Sequence, residues 1–91
     1  MQQQKIYTTY DSKTESYGQP FFLPTAKAAI RAFSDECNNP ESNLCRHAGD
    51  YTLFELGEYD TSKGKITVHK TPASLGLGTD YKETNIEQMK V

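Results

Sequence analysis

The chain has 91 residues, a mass of 10.3 kDa and a formal net charge of -2. This length excludes a second domain with its own core, and the charge excludes a polybasic mode of nucleic-acid binding. No apolar run approaches the roughly 18 residues of a membrane span, and the N-terminus lacks the apolar stretch of a signal peptide, so we expect a cytoplasmic protein without membrane contact.

The first predicted element is a strand over residues 5–10, where β-branched and aromatic residues follow one another. Ile6, Thr8 and Tyr10 would share one face of it, and the residues between them the other. Residues 17–24 contain two prolines, which favour extended backbone at the residues before them and prevent a helix. The apolar part of this segment is expected to lie under the next element.

That next element is a helix with Thr25 as its N-cap. Its apolar residues follow the spacing of one helical face: Ala26, Ala29, Ile30, Phe33 and Cys37. Pro40 disfavours helical geometry at the residue before it, so the helix should end just before that point. Residues 41–49 are polar and are expected to be irregular.

A β-hairpin is predicted over residues 51–69. Its first strand covers residues 50–59, with Gly57 marking a bulge or a close backbone approach. A polar turn follows, in which Gly64 can take a positive φ. Residues 65–70 return as the second strand, and Pro72 is expected to close the hairpin.

Together these elements predict an α+β fold, in which one helix packs on a small antiparallel sheet in the order β-α-β-β. The Phe33 side of the helix is expected to bury Phe54 and Leu56. Residues 1–78 would form one domain. Residues 79–91 would form a C-terminal tail that is either a short frayed helix or disordered.

The cysteines and histidines do not indicate a metal site or a catalytic site. Cys37, Cys45, His47 and His69 contain the ligand types of a zinc site, but their spacing matches no familiar finger. Cys45 and His47 are close in sequence, yet nothing in the sequence indicates the oxyanion hole or the positioning that a nucleophile needs. We therefore expect buried or half-buried thiols in a reducing cytoplasm, no enzymatic activity, no metal and no cofactor.

Aromatic residues interleaved with lysines are the most suggestive feature. The chain has six Tyr and four Phe, and residues 61–79 contain three Lys and no acidic residue. Bases that stack on aromatic rings flanked by lysines are how proteins hold single-stranded nucleic acid without sequence preference. The candidate contacts are Tyr59, Lys63, Lys65 and Lys70 on the hairpin, with Lys27 and Arg31 on the helix as a second patch. The alternative is a solvated hairpin whose tyrosines half-cover a thin sheet.

Three segments resemble one known family: S-Y-G-Q-P-F-F-L-P-T at residues 16–25, A-A-I-R-A-F at 28–33 and Y-T-L-F-E-L-G-E-Y-D at 51–60. In order and spacing they resemble the small nonstructural protein, labelled VP5, of gokushoviruses, which are tailless phages with single-stranded DNA genomes. The resemblance covers about residues 6–77. It implies a non-enzymatic phage protein of the bacterial host cytoplasm, with a DNA-binding role when replication switches to genome packaging.

Two hypotheses follow. The first is a homo-oligomeric accessory protein that binds single-stranded DNA weakly and without sequence preference. The second is a protein-interaction module that binds a phage replication protein, a capsid protein or a host factor without binding DNA, for example through an exposed sheet edge.

Overall fold

The computed structural model describes residues 3–83. In chain order its elements are β1 (Gln3–Asp11), β2 (Ser16–Tyr17), β3 (Phe21–Leu23), α1 (Ala26–Cys37), α2 (Asn43–Arg46), a 3-10 turn (Ala48–Asp50), β4 (Tyr51–Asp60), β5 (Lys65–Leu77) and α3 (Gly78–Tyr81). The α+β class is confirmed. The element order is longer than the predicted β-α-β-β, because two short strands precede the helix and short helices follow it.

All strands belong to one antiparallel sheet in the order β2-β1-β4-β5, and β3 also pairs with β1. β2 and β3 lie on the same edge of β1, at opposite ends of it: Tyr17 pairs with Tyr10, and Phe22 pairs with Ile6. The prolines of residues 17–24 prevent a helix there, as predicted, but the extended chain pairs with β1 on both sides of Pro20.

The helix α1 has the predicted bounds and the predicted cap. Thr25 Oγ1 accepts a hydrogen bond from the Ala28 N–H at 3.1 Å, which satisfies one of the free donors of the first turn. At the other end the Asn38 amide donates to the Ser34 carbonyl at 2.8 Å. Ala29, Phe33 and Cys37 are the buried residues of the helix, so its predicted apolar face is confirmed.

The sheet face under α1 differs from the predicted one. The core joins Phe33 and Cys37 to Tyr7 and Leu53, both with no exposed surface. The expectation that Phe54 and Leu56 lie under the helix is wrong. β4 has apolar side chains on both faces, and the strand pattern alone does not show which face is covered. Leu56 lies at a bulge, because Ile6 pairs with Gly57 while Tyr7 pairs with Glu55.

The hairpin is confirmed, and both glycine predictions hold. Gly64 has a φ of 63° in the turn. A Cβ on Gly57 would overlap the carbonyl oxygen of Thr67 and lie 2.8 Å from the Cα of Val68, so only glycine fits between these backbones.

Pro72 does not close the hairpin, because β5 continues to Leu77. The pairing with β4 passes from Val68 directly to Ala73, so residues 69–72 form a long bulge. Proline is tolerated there because a bulge residue does not need to donate to the ladder.

The segment between α1 and β4 is more ordered than predicted. Ser42 caps the four-residue α2 by accepting a hydrogen bond from the Leu44 N–H at 3.1 Å. Beyond β5, the Tyr81 ring packs edge-on against Phe33, with 5.8 Å between ring centroids, and the Lys82 ammonium donates to the Cys45 carbonyl at 2.8 Å. The start of the predicted tail therefore contacts the core, and residues 84–91 lie outside the described residues.

Tyr7 gives a testable consequence of this core. Its hydroxyl is buried and makes no hydrogen bond of good geometry, and burial, followed by the charge and the proximity of the Glu55 carboxylate, raises the pKa of Tyr7 from 10.0 to about 12. We expect Tyr7→Phe to keep or raise the free energy of unfolding at neutral pH, by up to about 1 kcal/mol, because it removes an unpaired polar atom.

The same variant should differ at alkaline pH. The folded state holds the Tyr7 proton more tightly than the unfolded state. The stability that this difference gives to the folded state is therefore fully present below pH 10 and is lost as the pH rises towards 12. Between pH 7 and pH 11 the free energy of unfolding, measured with urea, should fall less for Tyr7→Phe than for the natural chain. A cost well above 1 kcal/mol at pH 7 would instead mean that the hydroxyl has a stabilising partner.

Candidate functional site

The side of the sheet away from α1 is the most unusual surface of the molecule. Residues that pair directly across antiparallel strands share a face, so the alternation of β1 identifies this side. We call it the open face. Its apolar members are Ile6, Tyr10, Tyr17, Phe22, Phe54, Tyr59, Ile66, Val68 and Leu77.

The open face is not covered by the described helices. α2 and α3 both contact α1, which lies on the side of Tyr7 and Leu53. Within residues 3–83, every large hydrophobic residue that is exposed lies on the open face: Tyr17 at 53%, Phe22 at 43%, Ile66 at 55%, Val68 at 69% and Leu77 at 40%. A contiguous exposed apolar surface on a small protein commonly marks a binding site.

Aromatic rings form two groups on this face. Tyr10, Tyr17 and Phe54 are in mutual contact, with ring centroids 4.8 Å apart for the two tyrosines and 5.9 Å apart for Tyr17 and Phe54. Phe22 and Tyr59 form the second group, with centroids 5.8 Å apart in an edge-on arrangement. The partly exposed rings of both groups offer aromatic surface for a stacking ligand.

The polar positions of the open face have no charge. They are Gln4, Thr8, Thr52 and Ser74. Ionisable residues are found on the helix side of the sheet instead, where the Lys5 ammonium lies 3.1 Å from the Glu58 carboxylate and His69 Nε2 lies 2.7 Å from the Glu55 carboxylate.

The four predicted hairpin contacts lie in four different places. Tyr59 belongs to the open face, Lys63 lies in the turn and Lys70 lies in the bulge of β5; both lysines are exposed. Lys65 pairs with Asp60, and by register its side chain lies on the helix side. The Ser62 hydroxyl donates to Asp60 at 2.8 Å and lowers the pKa of that carboxyl, so a negative charge stays beside Lys65.

Lys27 and Arg31 are exposed on the outer surface of α1, in the layer opposite the open face. They line a shallow depression together with Asp35. The structure therefore does not bring them together with Tyr59, and they remain a separate patch.

Sequence reasoning found Tyr59 but missed the exposed aromatic and aliphatic residues around it. The signal was present in the alternation of K-I-T-V, which places Ile66 and Val68 on one face of an exposed strand. This alternation becomes informative only when the strand register is known, because the register places Ile66 and Val68 on the same face as Tyr17 and Phe22.

Neither a metal site nor a membrane-spanning helix is found in the part of the chain that the structure describes. Residues 3–83 hold no group of three or more His, Cys, Asp or Glu side chains placed to bind a metal. Cys37 is buried and Cys45 is half-buried, both as free thiols, and burial raises the pKa of Cys37 to about 11. None of the described helices is both long enough and apolar enough to cross a bilayer.

A family model described as phage ORF5 protein matches residues 4–81. The chain belongs to this family. The matched range contains the strands that build the open face, from β1 (all but Gln3) to β5, and the helices behind the sheet. No curated protein and no solved structure matches the chain.

Proposed function

We propose that this phage ORF5 protein binds single-stranded DNA weakly and without sequence preference, through the aromatic rings of the open face. The observation that carries the proposal is the exposure of Tyr17 and Phe22 on an uncharged sheet face, where Phe22 contacts Tyr59 near the lysine-bearing turn of the hairpin. Each DNA base has an apolar face that stacks on an aromatic ring, and this contact tolerates any sequence. Exposed aromatic residues on a sheet are used in this way by common single-strand-binding folds.

Single strands fit this surface better than duplexes. In a duplex the bases stack on one another, and their faces are not accessible to protein rings. A sequence-specific duplex reader usually places a helix or a β-ribbon in a groove, with positive side chains towards the phosphates. The outer surface of α1 has two positive residues, Lys27 and Arg31, but Asp35 lies beside them.

The resemblance to the gokushovirus VP5 family supports the biological setting of this proposal. In this setting, the protein acts in the host cytoplasm when genome replication gives way to packaging of single-stranded genomes. The role is that of a binding accessory, and the proposal assigns no reaction to the chain.

Fluorescence anisotropy of labelled oligonucleotides tests the proposal. At low salt the purified protein should bind a single strand at micromolar concentration, and more tightly than a duplex of the same length. Raising the salt to a physiological level should weaken binding, since part of the affinity comes from phosphate contacts. Absence of binding at low salt, or a preference for the duplex, would refute the proposal.

The lysines of the hairpin should set the salt dependence. We expect Lys63→Ala together with Lys65→Ala to lower the affinity and to reduce the slope of log K against log salt by about 0.7, because each phosphate contact contributes about 0.7 for single strands and the Lys65 side chain lies on the helix side. The matched control is Lys27→Ala with Arg31→Ala, which removes two positive charges from the opposite layer. An unchanged slope in the hairpin variant would remove these lysines from the site.

A protein partner is the second candidate function, and one observation favours it. The open face has no charge at its paired positions and includes three exposed aliphatic residues, Ile66, Val68 and Leu77. Such a surface suits the apolar core of a protein interface. Affinity capture from infected cells should then recover a phage replication protein, a capsid protein or a host factor that stays bound after nuclease treatment.

A further inference from the structure

The free edge of β5 has the chemistry of a self-complementary strand. β5 is the last strand of the sheet order, so the side of residues 65–68 away from β4 pairs with no other described strand. An edge of this kind presents free backbone donors and acceptors to another strand. The bulge at residues 69–72 ends the regular ladder, so a partner strand can pair with only a short stretch.

From this edge we infer that the protein forms a two-fold dimer in which β5 pairs antiparallel with β5 of a second copy, centred on Thr67. In such a pairing Thr67 lies opposite Thr67 of the partner subunit. Ile66 lies opposite the partner's Val68, and Lys65 lies opposite the partner's His69. The sheets of the two copies then become one continuous sheet, and the two open faces lie side by side.

The sequence around Thr67 is what selects a second copy as the occupant. In a two-fold interface residue i contacts residue j of the partner subunit and j contacts i, so the residues on the two sides of the axis face each other and must be compatible. Ile66-Thr67-Val68 meets this condition, with a β-branched apolar residue on each side of the threonine. Ile66 and Val68 are also the two most exposed of the large hydrophobic residues, at 55% and 69%, and the pairing places them against each other.

The register of the pairing between the two β5 strands keeps each face of the sheet continuous from one copy to the other. A two-fold axis perpendicular to the sheet places residues of the same parity opposite each other, so open-face residues meet open-face residues. Acidic residues lie near the axis within each copy: Asp60 is opposite Lys65 in the strand register, and the Glu55 carboxylate lies 2.7 Å from His69 Nε2. Only residues 66–68 pair within the regular ladder of both copies, since His69 is already in the bulge, so the interface buries little area and we expect a weak, concentration-dependent dimer.

The dimer also deepens the proposed function, although it does not depend on it. Each copy would contribute Lys63, Ile66 and Val68 to the junction, so the surface offered to a single strand would be twice as long. Two linked sites bind more tightly than one because the second contact is intramolecular. All tests below are made without DNA, so failure of the dimer and failure of DNA binding are separate results.

A disulfide cross-link tests the axis directly. In a Cys45→Ser background, Thr67→Cys places two thiols on the axis, where paired strands bring the Cα atoms to about 4.5–5.5 Å, within disulfide range. Mild oxidation should convert most of this variant to a covalent dimer. The matched control is Thr71→Cys, an exposed position on the same strand whose two copies would lie about 26 Å apart. Equal and slow cross-linking of both variants would overturn the inference.

Charge exchange gives a second, independent test. One variant has Ile66→Lys and Val68→Lys, and the other has Ile66→Glu and Val68→Glu. Each alone should sediment as a monomer, since like charges lie opposite each other in the pairing. The mixture should form a heterodimer, because each introduced lysine then faces a glutamate. A mixture that stays monomeric at concentrations where the natural chain dimerises would contradict the pairing, as would a natural chain that is monomeric throughout.

Discussion

Replacing Tyr17 and Phe22 together with alanine is expected to weaken single-stranded DNA binding by about 30-fold or more. Each base that stacks on an aromatic ring contributes about 1–3 kcal/mol, and 1.4 kcal/mol is a factor of ten in affinity. These two residues have the most exposed rings of the open face, at 53% and 43%, so they offer the most surface to a base. Anisotropy titrations at one fixed salt concentration measure the change.

Leu77→Ala is the matched control for that experiment. Leu77 lies on the same face with 40% exposure, and its truncation removes apolar area without removing a ring. We expect less than a threefold change in affinity. Because Phe22 pairs with Ile6, thermal unfolding must also show that the double variant is folded at the assay temperature. If the folded double variant binds as the natural chain does, the rings are not the stacking surface.

Leu53→Ala is expected to lower the free energy of unfolding by about 2–5 kcal/mol. Leu53 has no exposed surface and packs in the core with Tyr7 and Phe33, so truncation leaves a cavity that these neighbours fill only in part. Natural domains have a total stability of about 5–15 kcal/mol, so this single change removes a large share of it. Urea unfolding followed by circular dichroism gives the value.

The comparison with Leu77→Ala shows which face of the sheet is covered. The same truncation on the open face should cost less than about 1 kcal/mol, because much of that side chain is already in contact with water. The opposite ranking, with Leu77→Ala costing more than Leu53→Ala, would mean that the open face is the buried one.

Local chemistry explains why the elements themselves could be predicted from the sequence. Thr25 can cap a helix, and the apolar residues up to Cys37 have helical spacing, so both signals indicate the same element. Gly57 occupies a backbone position that only glycine fits, and Gly64 has a positive φ that favours glycine. In each case the deciding interaction lies within the element or between neighbouring strands.

The features that could not be predicted depend on contacts between distant residues. Leu53 and Phe54 are adjacent, and only the packing of α1 decides which of them is buried. The short strands β2 and β3 exist because β1 supplies their hydrogen-bond partners, as in the pairing of Tyr17 with Tyr10. Pro72 indicates a strand end by local rules, but the bulge that contains it lets β5 continue.

The candidate site was predictable only in part for the same reason. Tyr59 and the hairpin lysines are close in sequence and were identified together. Tyr17 and Phe22 come from segments about forty residues earlier, and the sheet register places them on the same face. The sequence predicts Lys65 beside Tyr59, but one step along a strand moves a side chain to the other face.

A nuclear magnetic resonance titration tests the central claim most directly. The protein, labelled with nitrogen-15 and with labelled Tyr and Phe rings, is titrated with a thymidine oligonucleotide of about ten nucleotides, within the usual range of single-strand site sizes. If the open face is the binding site, shifts should be concentrated on Tyr17, Phe22 and Tyr59, while Lys27 and Arg31 stay unchanged. Shifts centred on Lys27 and Arg31, or no shifts at any concentration, would contradict it.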